Sequence, residues 1–228
     1  RRDALARRLL TTVRDLLSRE SDRIPVAFPQ QNETLVGSGC WRPVDSPPVF
    51  VHPTAVVEDG AVIGEDTLVW HHAHVRSGAV IGSGTQLGKN VYVDDGAFVG
   101  DRVKVQNNVS IYRGVTIGDE VLVGPSAVFT NELWPRAREG DFDVTPTAVG
   151  RGAAIGANST IICGVTLGEY CTVGAGSVVT HDVEHHELVV GNPARHHGWV
   201  CDCGRLASRE EERPVDPRCP DCARLPKS

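Results

Sequence analysis

Two cysteine pairs close the chain: Cys201-Asp202-Cys203-Gly204 and, fifteen residues on, Cys219-Pro220-Asp221-Cys222. Four thiolates complete a tetrahedral shell for zinc and leave no open position for catalysis, so this set points to a structural Zn2+. The second pair has a usual knuckle spacing, while the one-residue gap in the first is less usual; free thiols in a mobile tail are the other reading. A tail this short hardly folds without such a staple. Cys40, Cys163 and Cys171 stand alone and are read as packing residues.

Trp70, His71, His72 and His74 form a histidine-rich patch. His74 could accept a proton near neutral pH as a general base, or serve as an exposed packing or substrate-contacting residue. Alternation puts His72 and His74 on one side of a strand unless a corner falls between them. Asn90, Asn107, Asn108 and Tyr112 are polar residues in apolar-patterned sequence. They suit a substrate pocket, although stacked Asn can equally form ladders at corners. Arg136 could meet a diphosphate or a carboxylate through a bidentate contact, or remain solvated. No Walker or dinucleotide phosphate loop is present.

What must position these residues is a repeat of six. An apolar residue recurs at every sixth position from Val51 to Phe129, fourteen times, and the beat resumes at Val149 for six more through Val179. Helical spacing of three and four, or strand spacing of two, does not hold phase over this distance. Gly often follows the apolar position, as in Ile63-Gly64 and Val123-Gly124, and is read as a positive-φ corner. Small residues such as Ala73, Ala97 and Ala127 recur at the second inward position. A short strand and a corner, three times over, return the chain one strand spacing higher, which makes a triangular prism of about six and two-thirds coils. Its thin interior has no room for large aromatics, and only 5% of the chain is Phe, Trp or Tyr. The hand of the winding is not set by periodicity.

Residues 49–183 are therefore a solenoid from which residues 130–148, with Trp134, two Pro and two Arg, leave as a surface loop. Residues 184–200 close it, and residues 201–228 form the cysteine tail. Leu5, Leu9, Val13, Leu16 and Leu17 predict an amphipathic helix over 3–20, followed by an irregular linker to residue 48. The formal charge of -6 gives no reason to expect nucleic acid or an anionic membrane as partner. No apolar run reaches the length that spans a bilayer, and the Arg-rich start lacks a signal-peptide core, so the chain reads as soluble and cytoplasmic. It has no methionine, and reads as a processed, trimmed or downstream piece.

Strict hexads of this kind resemble the left-handed parallel β-helix acyltransferases, and the resemblance covers residues 49 to about 200. Several stretches are similar to the N-acetyltransferases of nucleotide-linked 3-amino sugars, such as the UDP-2-acetamido-3-amino-glucuronate and dTDP-3-amino-hexose enzymes. These are His52-Pro53-Thr54-Ala55, Val105-Gln106-Asn107-Asn108-Val109-Ser110, Gly124 to Asn131 with Pro135-Arg136-Ala137 behind it, and Val189-Val190-Gly191-Asn192-Pro193-Ala194-Arg195 through Trp199. Glu184 stands where the family's closing pattern has Pro, and the cysteine tail is an addition.

The resemblance implies a homotrimer with acetyl-CoA lying between neighbouring walls. It also implies direct attack of a sugar amine on the thioester. Asn131 matches a residue placed to donate to the thioester oxygen, although it could merely cap the loop. Arg195 matches a CoA-phosphate contact, and Ala154, Ala157, Gly174 and Ala175 would let pantetheine lie close to the wall. Alternatives are an O- or N-acyltransferase for another small acceptor, or a non-catalytic scaffold. A carbonic-anhydrase-type metal hydratase would also use histidines on this fold, but leaves those stretches unexplained.

Overall fold

A computed structural model describes residues 49–137 and 143–223. The expected N-terminal helix and linker, and Cys40, lie outside these residues. Twenty strands of two or three residues, from β1 (Val49–Val51) to β20 (Val178–Val179), correspond one to one with the hexads. They stack into three parallel sheets, with successive strands passing from first to second to third. Partners lie eighteen residues apart, as in Val51 on Val69, Val75 on Val93 and Ile81 on Val99. The described chain is a β-solenoid whose one helix is the four-residue α1 (Pro220–Ala223).

The winding outlasts the periodic sequence. Val183 bridges Leu167, and β21 (Glu187–Val190) lies parallel on β19 (Thr172–Val173), giving the first sheet eight parallel strands. The chain then reverses: β22 (Arg195–Val200) and β23 (Leu206–Ser208) continue that sheet antiparallel. The hexad count alone therefore stops short of the solenoid's end.

The interior is the expected column of apolar side chains, with Val69, Leu87, Val105 and Val123 no more than 1% exposed. Burial of each such side chain contributes on the order of 2 kcal/mol. Phe129 corrects the expectation that large aromatics are excluded: it is the largest fully buried side chain, in the last strand before the loop. Thr67 and Thr85 are also buried, their hydroxyls donating to the carbonyls of Gly82 and Gly100 across the corner.

The glycines after the apolar positions do not make the corners by positive φ. Positive φ occurs three residues after the apolar position, at Gly60, Gly78 and Gly96, but equally at Asp66, Asn90, Arg102, Asn108 and Tyr170. The glycines directly after the apolar position are required by proximity. A Cβ on Gly64 would lie 2.5 Å from the Ser83 nitrogen, and one on Gly124 would lie 2.6 Å from the Ala157 nitrogen, both backbone atoms of the next coil. Gly64→Ala is expected to destabilise the fold by about 1–3 kcal/mol through overpacking. Gly96 has φ +69 and nothing within 4 Å of an added Cβ, and Asn tolerates that conformation, so Gly96→Asn should stay within about 1 kcal/mol of the parent. Thermal or denaturant unfolding of the two variants checks the ordering.

Candidate active site and metal centre

Each strand of the second sheet offers one outward side chain, and the corner after it adds two or three more. On β5 (His74–Val75), His74 Nε2 is 2.8 Å from Glu58 Oε1 one coil below. Glu58 Oε2 accepts the Ser77 N–H at 3.0 Å. That N–H and His74 hold the Glu58 carboxyl below its usual 4.5, against a smaller opposing effect of desolvation. His71 and His72 occupy the corner before β5, with His72 at positive φ. The corner thus separates them from His74, and His71 instead stacks on His52 with ring centres 3.5 Å apart.

From His74 a polar track climbs the solenoid. Arg76 lies 3.7 Å from Glu58 Oε1, and its guanidinium donates to Asp94 Oδ1 at 3.2 Å. Tyr92 on β8 (Tyr92–Val93) donates its hydroxyl to the same oxygen at 3.0 Å. Desolvation would raise the Asp94 carboxyl, but N–H donation from Asp95 and Arg113, the Tyr92 hydroxyl and the Arg76 charge outweigh it and hold the group below the ordinary carboxylate range. Burial pushes the Tyr92 phenol up, so it stays protonated as a donor. Asp95 then pairs with Arg113, and Asn131 stands one coil above Arg113. Tyr112 joins the track with its ring 5.9 Å from that of Tyr92.

Asn131 follows β14 (Val128–Phe129) at the root of the loop. Its carbonyl accepts the N–H of returning Thr145 at 2.9 Å, so its backbone does cap the loop. Its side-chain amide is half-buried and makes no hydrogen bond among the described residues. Beyond it the loop exposes Leu133 and Trp134, the latter 81% accessible. Arg136 is exposed and, among the described residues, donates only to the Pro135 carbonyl. The solenoid resumes in register at β15 (Thr147–Val149), on Val115–Ile117.

The other sequence-selected residues fall in separate places. Asn90 and Asn108 are both at positive φ, and the Asn90 amide donates to Asn108 Oδ1 at 3.0 Å. Asn107 Oδ1 accepts the Lys89 N–H at 2.8 Å. These three form the corner ladder between first and second sheets, away from Tyr112. Ala154 lies on the first sheet beside Leu122 and Thr172, and the Ala157 carbonyl accepts the Gly176 N–H on the next coil. Gly174 and Ala175 follow on that coil, so the four small residues share one stretch of wall. Arg195 lies two strands further, across from Val190, and lines a cavity of about 390 Å3 at the end of the prism. His74 and Asn131 are not adjacent: their strands are three coils apart, about 14 Å. Sequence reasoning missed Glu58, Arg76, Tyr92, Asp94 and Arg113; an eighteen-residue step joins Glu58 to Arg76 and Asp94, His74 to Tyr92, and Asp95 to Arg113.

In the tail, the sulfurs of Cys201, Cys203, Cys219 and Cys222 all lie within 4.8 Å of one another. Tetrahedral zinc with bonds of about 2.3 Å separates its sulfurs by about 3.8 Å, so an all-thiolate shell fits a tetrahedral soft metal. The hairpin turn after β22 and the start of α1 supply two thiols each. The Gly204 N–H donates to the Cys201 carbonyl at 2.7 Å, and Gly204 has positive φ. The Cys222 N–H draws the Cys219 thiol down to about 7, whereas bonding to Cys203 first, then Cys219, holds Cys222 up at about 12. Cys171 is the inert opposite, a thiol pushed up to about 12 by burial.

The profile of the bacterial transferase hexapeptide, six repeats, matches residues 60–95 and 96–131, and that of the hexapeptide repeat of succinyl-transferase matches 146–181. Both profiles match within the solenoid and follow its repeat of six. Over 57 residues, a quarter of this chain and 30% of the relative, it is 49% identical to dTDP-3-amino-3,6-dideoxy-alpha-D-galactopyranose 3-N-acetyltransferase of Aneurinibacillus thermoaerophilus. The match spans less than a third of that enzyme. Among solved structures, the acetyltransferase domain of PglB from Neisseria gonorrhoeae, in complex with acetyl coenzyme A, is 25% identical, with 65% of this chain and 57% of that one aligned and a TM-score of 0.44. A mutant of perosamine N-acetyltransferase from Caulobacter crescentus, in complex with CoA and GDP-perosamine, is 22% identical, with 66% and 56% aligned and a TM-score of 0.43.

The depressed carboxyl of Glu58 gives a pH prediction. A carboxylate stabilised in the folded state supports the fold above its unfolded value and loses that support as pH falls through its folded one. The stability difference between the parent and Glu58→Gln should therefore be constant above about pH 5 and shrink below the ordinary 4.5. Unfolding midpoints of both proteins from pH 3 to 7 check this.

Proposed function

We propose that the chain is an acetyl-CoA-dependent N-acetyltransferase for the amino group of a nucleotide-linked amino sugar, of the UDP- or dTDP-3-amino class. The observation that carries this reading is the half-buried amide of Asn131, without a hydrogen-bond partner among the described residues, where the loop leaves a rigid wall. Nearly half identity over 57 residues to an N-acetyltransferase of a dTDP-3-amino sugar supports the substrate class.

In the reaction, an uncharged sugar amine attacks the thioester carbonyl, the C–N bond forms, and collapse of the tetrahedral oxyanion expels the thiolate of CoA. The amine's proton leaves with it. Asn131 donates its side-chain N–H to the developing oxyanion, where a fixed donor counts most. Ala154, Ala157, Gly174 and Ala175 leave the first wall bare enough for pantetheine to lie on it, and Arg195 meets a phosphate beyond. Tyr112 and Arg136 contact the nucleotide sugar.

His74 is three coils from Asn131 and does not reach the same acetyl group within one chain. Its role as proton acceptor would require a neighbouring chain or an extended substrate, and its carboxylate-held ring otherwise serves as a sugar contact. The walls are flat, so a cleft needs neighbours. Val56 and Val128 on the second sheet, Val62 on the third and Trp134 on the loop are exposed apolar side chains that a homotrimer would cover. Acetyl-CoA and nucleotide sugars are co-substrates of the cytoplasm, so the reading puts the enzyme there. No described helix is long and apolar enough to cross a membrane. The four-sulfur shell holds structural Zn2+, which pins the tail and takes no part in the reaction.

Asn131→Ala is expected to lower turnover about 100- to 1000-fold while the KM for acetyl-CoA changes little. Thiol release from acetyl-CoA with a panel of amino-sugar nucleotides measures it. Absence of release with every amine, together with no CoA binding by calorimetry, would favour a scaffold. Metal analysis should find one zinc per chain, and Cys222→Ser should lose it.

A further inference from the structure

The first sheet carries, beside its corner with the second, a shallow cavity of about 270 Å3. A column of residues creates it. Trp70, Gly88 and Gln106 follow at eighteen-residue intervals, and the Trp70 and Gly88 N–H groups donate to the Leu87 and Val105 carbonyls of the coil above. Coils rise by about 4.8 Å, so the missing side chain at Gly88 leaves a slot about two rungs, or 10 Å, from indole to amide. The slot is permanent, because a Cβ on Gly88 would lie 2.9 Å from the Asn107 nitrogen.

One wall of the slot is aromatic. The Trp70 ring packs 5.4 Å from that of Phe50 and lies within 4° of parallel to His71, which itself stacks on His52. The rim is amide and cationic. Gln106 and Asn107 offer donors and acceptors, and the Asn107 Nδ2 group has no partner among the described residues. Lys89 lines the cavity, and Lys104 lies on the strand beside Gln86. These are two of three lysines in a chain of net charge -6, and neither pairs with a carboxylate among the described residues.

We propose that this slot binds the base of a nucleotide, stacked on Trp70, with its diphosphate held by Lys89 and Lys104. A flat ring with a polar edge and an attached polyanion is the ligand that uses all three features at once. The assignment rests on the nucleotide-sugar reading in that it places the nucleotide half of that substrate. Trp70 precedes His74 by four residues, at most about 14 Å of extended chain. A nucleotide anchored at the slot therefore presents its sugar to the sheet that bears His74, Tyr92 and Tyr112. CoA also carries a base and phosphates, but the small-residue wall begins three coils higher, about 14 Å away.

The test is calorimetric binding of UDP, dTDP and CoA to the full chain and to Trp70→Ala and Lys89→Gln, with circular dichroism to confirm folding. Trp70→Ala should weaken UDP or dTDP about 10- to 100-fold and leave CoA unchanged. Lys89→Gln, on an exposed corner where folding is not at risk, should weaken the nucleotide at low salt and much less at high salt. Unchanged nucleotide affinity in both variants overturns the proposal, as does loss of CoA binding alone, which would give the slot to the other substrate. Nucleotide binding that depends on Trp70 without acetyl transfer to any amine would sink the proposed reaction and keep the slot. Acetyl transfer by Trp70→Ala with an unchanged KM for the nucleotide sugar would do the reverse.

Discussion

Where glycine directly follows an inward apolar residue, consecutive coils approach so closely that a Cβ does not fit. At Gly64, Gly124 and their counterparts, the missing side chain lets the next coil's backbone sit directly above. Everything else about the solenoid depends on the backbone ladder between coils, which runs on unbroken where the same position holds Trp70, Arg76 or Gln106. It keeps neighbouring coils in register, with Trp70 N–H on the Leu87 carbonyl and Gly88 N–H on the Val105 carbonyl. With the register fixed, each outward position becomes a vertical column. At Gly64 or Gly124 a bulkier residue would push the local coils apart and strain the ladder on both sides, at a cost comparable to a sizeable fraction of a domain's net stability.

The same constraint explains which parts of the architecture were readable from sequence. The apolar beat specifies strands, interior and loop position because each inward residue is buried by its eighteenth neighbour. The corners misled because glycine has two uses, positive φ and lack of bulk, and sequence does not say which operates. Here positive φ falls at the opposite phase, to Asp66, Asn90 and Arg102 as well as Gly60, Gly78 and Gly96, and the glycines directly after the apolar residue serve close approach. The end of the solenoid was illegible for a related reason. Between Val179 and Val189 the chain keeps the coil but abandons the count of six, so only backbone pairing reveals that β21 is another rung.

Of the candidate site, the parts made of close sequence neighbours were legible. The four cysteines form one cluster, because two short turns bring each pair together and the antiparallel β22 and β23 bring the pairs near. The small residues from Ala154 to Ala175 share a wall because they are about one coil apart. The supporting carboxylates were not legible. Nothing local to His74 announces Glu58, and nothing near Tyr92 announces that Asp94 must serve Arg76, Arg113 and a phenol together.

Adding or subtracting eighteen would have exposed those partners. Glu58 and Arg76 differ by one coil, as do Arg76 and Asp94, and Asp95 and Arg113, and each pair makes a charged contact. Alternating sign along these columns suits a stack with about 4.8 Å spacing, since like charges at that distance would repel. The alternation ends at Tyr112 and Asn131, where neutral polar groups replace charges just below the loop. A neutral donor there is suited to a charge that appears only during reaction, because a fixed cation in its place would bind any anion beforehand. By the same count, His74 lies three coils and half a hexad before Asn131. That offset divides the wall into a lower region with charge and aromatic rings and an upper region with bare backbone, and two large reactants meeting end to end would need such a division.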